Sequence, residues 1–212
     1  MAVNAAWSKR PLHDEDAVLF APDLGLFAVF DGLGGEYGGR QAARLARRIV
    51  ASYCRSHASA RSLETLAHAV IHANEVVGKS PRAGFTTAVA VWIGGNVAHW
   101  VSVGDSRIYH QIGFEPLRML SRDEGYDNIV DNYLGDRFTF KGVRQRQTIT
   151  LRQRDTLLLV SDGITGDFKP DLLSPTDIAT AIRDREPQDA ADNLVEVARK
   201  HDDRTAIVIK IE

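Results

Sequence analysis

Cysteine is nearly missing from this chain. Cys54 is the lone thiol among 212 residues, so no disulfide can form within the chain and no cysteine cluster can hold a soft metal. Long apolar runs are missing too. No segment is long enough to span a bilayer, and the first residues, MAVNAAWSKR, lack the apolar stretch of a signal peptide. Neither sign of charge dominates: 26 Lys and Arg stand against 28 Asp and Glu, a formal net charge of −2. That balance excludes a general attraction to nucleic acid or to an anionic membrane. Internal repeats, low-complexity tracts and linkers are also missing. The expectation is a cytoplasmic protein with no nucleic-acid partner and no membrane span. At 44% hydrophobic content, residues 1–212 suffice for one domain with a sizeable core.

What is present is a concentration of acid and glycine at strand ends. Gly25–Gly39 reads G-L-F-A-V-F-D-G-L-G-G-E-Y-G-G. Its apolar run, Leu26–Phe30, predicts a buried strand. Asp31 ends the run, and Gly32, Gly34, Gly35, Gly38 and Gly39 follow. Asp-Gly after a strand is also how an ordinary turn begins. Repetition separates the two readings. Val101–Asp105 reads V-S-V-G-D, Leu157–Gly163 reads L-L-L-V-S-D-G, and Asp202-Asp203 stand just before the apolar stretch Ala206–Ile211. Acids at several strand ends can converge on one edge of a sheet core, where carboxylate and carbonyl oxygens suit a hard cation.

The remaining pattern is mixed. Trp7–His13 is mixed and polar; Ala17–Ala21 and Leu26–Phe30 read as a hairpin that returns Glu15 and Asp16 to Asp31. Helices are expected from Glu36 to about His57 and from Ser62, as N-cap, to about Val77. Arg40, Arg44, Arg47, Arg48 and Arg55 read as a solvated helix face, and His68 and His72 as surface or packing residues without a third ligand. Strands are expected at Phe85–Ile93, Val97–Val103, Arg107–Gln111, Leu117–Leu120, Gln147–Leu151 and Thr156–Val160, with 121–142 irregular. Ser174-Pro175 starts a helix to about Arg183, Gln188–Lys200 is another, and Arg204–Ile211 closes the chain as a strand. Strands and helices segregate rather than alternate, which argues α+β.

Several short motifs occur in one order. Asp14-Glu15-Asp16, Phe27–Gly35 (F-A-V-F-D-G-L-G-G), Gly84–Ala88, Val103–Arg107 (V-G-D-S-R), Leu120–Asp123 (L-S-R-D), Leu134-Gly135, Ser161–Ile164 (S-D-G-I) and Asp202–Thr205 are the segments concerned. Together they resemble the type 2C metal-dependent Ser/Thr protein phosphatases (the PPM family) in a bacterial-like short form. Asp202–Thr205 resembles that family's D-N-x-[ST]. The resemblance implies a central β-sandwich of two mostly antiparallel sheets flanked by helix pairs, α-β-β-α. It implies two Mn²⁺ or Mg²⁺ ions with a third, looser position. Asp31 would bridge two metals. The Gly32 carbonyl and Asp16 would serve one of them, Asp162 and Asp202 the other, and Glu15 would act through water. Asp105 with Asp162 would offer the third position. The implied partner is a phosphoprotein, with a Ser/Thr kinase or its targets in the same circuit, and the implied reaction is hydrolysis of phosphoserine or phosphothreonine.

The chemistry agrees with the residue types. A pair of cations activates water near neutral pH and neutralises a transferring phosphoryl group. No Ser or Cys nucleophile is then needed, so Ser106 and Ser161 read as structural. Three departures from the family pattern stand out. Pro11 occupies the place of a phosphate-binding Arg, with Arg10 one residue away as the candidate catalytic and substrate-binding cation. Leu33 replaces a His proposed as general acid, leaving His13 as a weak substitute. The segment between Asp123 and Leu134, a substrate-contacting flap in many bacterial members, is short. These departures motivate an alternative, a silent domain of the same fold that binds a phosphoprotein. A nucleotide-phosphate loop is disfavoured, because D-G-L-G-G-E-Y-G-G lacks the G-K-[ST] ending and the G-x-G-x-x-G spacing.

Overall fold

The computed structural model describes residues 1–33, 38–126, 129–166 and 172–212. In chain order the strands and helices are β1 (Val3–Arg10), β2 (Ala17–Ala21), β3 (Leu26–Phe30), α1 (Gly39–Ser56), α2 (Leu63–Gly78), β4 (Ala88–Gly94), β5 (Val97–Val103), β6 (Arg107–Gln111), β7 (Arg118–Met119), β8 (Gly125–Tyr126), β9 (Ile129–Val130), β10 (Gln145–Thr150), β11 (Thr156–Val160), α3 (Asp162–Thr165), α4 (Pro175–Ile182), α5 (Pro187–Val197) and β12 (Arg204–Ile211). Among the described residues, two antiparallel five-stranded sheets run β1-β12-β11-β6-β7 and β10-β5-β4-β3-β2.

The apolar runs look continuous in sequence but are sorted by the period-2 geometry of a strand. In β3, Phe27 and Val29 enter the layer between the sheets, whereas Leu26, Ala28 and Phe30 pack beneath α1 and α2. In β12, Ile207, Ile209 and Ile211 face the other sheet, while Ala206 and Val208 face α4 and α5. Each sheet therefore has both faces covered, and the architecture is the expected α-β-β-α sandwich. Small residues let the helices approach closely: Ala42, Ala43 and Ala46 of α1 and Ala67, Ala69 and Ala73 of α2 are all fully buried.

Helix ends follow their caps. Ser62 Oγ accepts from Thr65 N at 3.1 Å, as its N-cap position predicts. Ser174 and Asp177 form a reciprocal capping box at the start of α4. The sequence expectations differ from the structure in a few places. Residues Val3–Arg10 form an eight-residue edge strand, where the mixed sequence suggested none. An edge strand with half-exposed faces does not need an apolar run; its backbone pairs with β12 along its whole length. The strand expected from Phe85 begins at Ala88, because Phe85–Thr87 turns across to meet residues 31–33 and 134. The glycine-rich residues 34–37 lie outside the described residues, so the helix start expected at Glu36 does too.

Candidate metal centre

All the motif acids sit at one end of the sandwich, and the pairing explains why. Ala17 pairs with Phe30, so Asp16 and Asp31 flank adjacent strand ends. Val160 pairs with both Ala206 and Arg107, so Asp162, Asp202 and Asp105 flank the corresponding ends of the other sheet. Asp31 is fixed by its backbone: its N–H donates to Thr87 Oγ1 at 3.1 Å, and its carbonyl accepts from Thr87 N at 2.8 Å and Thr86 Oγ1 at 2.9 Å. Gly32 is required by crowding. A Cβ there would stand 2.6 Å from the Gly39 backbone and 2.8 Å from the Glu15 carbonyl. Gly163 is required still more strongly, since a Cβ would sit 1.8 Å from the Asp203 carbonyl oxygen.

The loop carrying Glu15 and Asp16 is wrapped around a single carboxylate. Asp203 Oδ1 accepts from the N–H groups of Leu12 (2.5 Å), His13 (2.7 Å) and Asp14 (3.1 Å). Its Oδ2 accepts from Glu15 N (2.5 Å) and Asp16 N (3.1 Å). Asp14 takes φ +60°, a left-handed conformation that Asp and Asn tolerate best after Gly. Lys9 Nζ closes the loop by donating to Asp14 Oδ1 and the Asp16 carbonyl, both at 2.8 Å. Burial pushes the Asp203 carboxyl up, but the backbone donors outweigh it and bring it down to about 2.

The neighbouring carboxyls are pushed the other way. Asp31 lies well above the ordinary carboxylate range, first because burial disfavours its charge and then because Asp16, Asp162, Asp105 and Asp202 add like charge. Burial raises Asp16 to about 7 against hydrogen bonds from Thr205 and Ser161. Thr205 Oγ1 donates to Asp16 Oδ2 at 2.5 Å. Burial likewise raises Glu15, with Asp203 and Asp202 adding to it and His13 and Arg40 opposing. Asp16 Oδ1 is buried and meets no donor. Across the pocket, Lys200 Nζ donates to Asp162 Oδ2 at 2.5 Å and to Asp202 Oδ2 at 2.9 Å.

Asp16, Asp105, Asp162 and Asp202 thus all act on the charge of Asp31, and Glu15 stands beside the pocket. Arg10 is elsewhere: its guanidinium pairs with Glu196 of α5 at 3.3 Å, with both side chains largely exposed. His13 is exposed on the loop. Ser106 and Ser161 are buried: Ser106 Oγ meets Thr87 Oγ1, and Ser161 Oγ accepts from Thr205 N, lies 3.4 Å from the Asp203 carbonyl and stands beside Asp16. Arg107 and Asp123, quoted in two of the motifs, form a buried bidentate pair at 2.9 and 2.7 Å that ties β6 to the loop after β7. His68 and His72 are exposed. Cys54 lies on the buried face of α1, where burial pushes its thiol up to about 12.

The donor chemistry fits a hard divalent cation: oxygen donors, excess negative charge, and a buried carboxylate oxygen without a donor. The arrangement as it stands does not close on one. Among the described residues no group of three or more His, Cys, Asp or Glu side chains is set to hold a metal ion. Asp162 and Asp202 are engaged by Lys200.

An α-β-β-α sandwich with acids gathered at one end is the arrangement that the motif resemblance implied. The chain belongs to the protein phosphatase 2C family, whose model matches residues 8–198. Solved structures similar to it include the Mycobacterium tuberculosis serine/threonine phosphatase PstP/Ppp, at TM-score 0.85 and 22% identity with 100% of each chain covered. The catalytic domain of PstP in complex with two manganese ions matches at TM-score 0.82 and 23% identity, covering 99% of this chain and 100% of that one. PppA, described as a key regulatory component of T6SS in Pseudomonas aeruginosa, matches at TM-score 0.80 and 23% identity, covering 99% and 98%. At these identities the likeness speaks for the fold. No curated protein matches the chain in sequence. Among the described residues no helix is long and apolar enough to cross a membrane.

Proposed function

We propose that this protein is a Mn²⁺- or Mg²⁺-dependent phosphatase acting on phosphoserine and phosphothreonine in proteins, with residues 1–212 as one catalytic unit. The observation that carries the reading is the gathering of Asp16, Asp105, Asp162 and Asp202 around a buried Asp31, whose charge they disfavour, at one end of a family-typical sandwich. Acids gathered at a cost in free energy are more easily understood as a cation site than as a structural cluster. Asp16 and Asp31, with the Gly32 carbonyl, would hold one ion, and Asp162 and Asp202 the other. Glu15 would orient water, and Asp105 with Asp162 would provide the looser third position. When bound, the cations supply an activated water and neutralise the phosphoryl group. The chain's own part is to hold these carboxylates on rigid strand ends and to fix Asp31 through Thr86 and Thr87. Arg10 would reach a substrate phosphate by leaving Glu196, at little cost, because exposed pairs contribute only about 0–1 kcal/mol. A cytoplasmic location and a Ser/Thr kinase supplying the phosphoprotein complete the reading.

The test is hydrolysis of an aryl phosphate and of a phosphothreonine peptide by the purified protein with Mn²⁺ and with chelator. Turnover should require the metal and vanish in Asp31→Ala and Asp162→Ala, with the unfolding transition retained; full activity in either variant overturns the reading. The pairing of Lys200 with Asp162 and Asp202 favours a second reading, a phosphoprotein-binding domain with weak or no turnover. Phosphopeptide binding without hydrolysis at saturating Mn²⁺ would support that one.

A further inference from the structure

Lys200 belongs to none of the motifs, yet it reaches into the acidic pocket. It lies in the loop between α5 and β12, three residues beyond Val197. Its side chain is only 16% exposed. The backbone that presents it is clamped by Arg204, whose Nε and Nη2 donate to the Lys200 carbonyl at 3.0 and 2.8 Å and whose Nη1 donates to the Val195 carbonyl at 3.3 Å. A lysine on an open surface keeps its ammonium hydrated and mobile. Here the ammonium stands 2.5 Å from Asp162, at the start of α3, and 2.9 Å from Asp202, in the loop before β12. A cation shared by those carboxylates has to sit in the space between them, and the ammonium fills it. The two cannot be there together, because a divalent ion beside a fixed ammonium adds repulsion and loses the oxygens already engaged.

We infer that Lys200 is a tethered counter-ion that occupies the Asp162–Asp202 half of the centre in the resting protein, and that a divalent ion enters that half only by expelling it. The inference rests on the reading of the pocket as a metal centre. It makes the two halves unequal. The Asp16–Asp31 half gains its first ion without competition from a lysine, whereas the other half fills in competition with a cation carried on the chain itself. Metal loading, and whatever depends on it, is then set by where Lys200 points. A merely structural ion pair would leave metal binding indifferent to the residue.

The test uses the full chain, stripped with chelator and titrated with Mn²⁺ alone by calorimetry, with bound ions counted by electron paramagnetic resonance. Lys200→Met keeps the apolar stem and removes the charge; Lys200→Arg keeps the charge. The expected result is a second ion bound at least about tenfold more tightly in Lys200→Met than in the natural chain, about 1.4 kcal/mol, with Lys200→Arg remaining weak. A natural chain that takes up one ion at saturation where Lys200→Met takes up two supports the inference equally. Identical counts and affinities in the natural chain and Lys200→Met, with both folded by thermal unfolding, overturn it. If neither takes up Mn²⁺, the metal reading falls and this inference with it. Tightening in Lys200→Met without turnover on any phosphoester sinks the phosphatase proposal and leaves the counter-ion role standing.

Discussion

Replacing Asp203 by Asn tests whether a carboxylate organises the metal-binding loop. The family pattern D-N-x-[ST] has Asn at this place, so the exchange looks conservative. In this chain both oxygens of Asp203 are used as acceptors, three N–H groups on Oδ1 and two on Oδ2. An amide has one acceptor oxygen. With that oxygen in the Oδ1 position, its NH₂ meets the N–H groups of Glu15 and Asp16, donor against donor. Each lost bond to a charged group that leaves a buried donor unpaired costs about 1–3 kcal/mol, so the two together cost about 2–6. Removing a negative charge beside Asp16 and Glu15 returns about 1 kcal/mol, the worth of roughly one unit of carboxyl pKa. The net expectation is a loss of about 1–5 kcal/mol, or a Tm lower by about 2–20 °C at this chain length. Thermal and urea unfolding at pH 7 in chelator measure it. The carboxyl is held down to about 2 in the folded chain against an ordinary 3.8, so its contribution is complete above pH 4 and fades as pH falls toward 2. The gap between natural chain and variant should narrow over that window. An Asn variant as stable as the natural chain at pH 7 would refute the reasoning.

Asp16 sets a trend of opposite sign at higher pH. Its folded pKa is raised from 3.8 to about 7, so the folded chain binds the extra proton and the metal-free protein loses stability as pH rises from about 4 to 7, by at most about 4 kcal/mol from this residue. Melting in chelator at pH 5 and pH 7.5 should show the fall, and Mn²⁺ should restore more at pH 7.5; a flat chelator profile contradicts it. Gly163→Ala places a methyl 1.8 Å from the Asp203 carbonyl, which forces the Asp202–Asp203 loop away from Asp162. Overpacking of this kind costs about 1–3 kcal/mol or more, and metal affinity should fall with stability; an unperturbed melting curve would show that the loop yields freely.

The sequence carried the strands, the helix caps and the acids, because these depend on neighbours a few residues apart. Leu26–Phe30 followed by Asp31, Ser62 as a cap, and the hairpin returning Asp16 were all legible from local pattern. Strand β1 was not, since an edge strand needs backbone partners more than apolar side chains, and those partners in β12 lie about 200 residues away. The division of each apolar run between two cores is likewise a property of two sheets facing each other, not of any run. What the chain alone determined is which oxygen ligands exist and that they end strands. Only the tertiary structure decided that Asp203 holds the loop while Asp202 faces the pocket, and that Lys200 stands between Asp162 and Asp202. Those roles come from long-range contacts in three dimensions, where a charge takes its meaning from whatever the fold sets within a few ångströms of it.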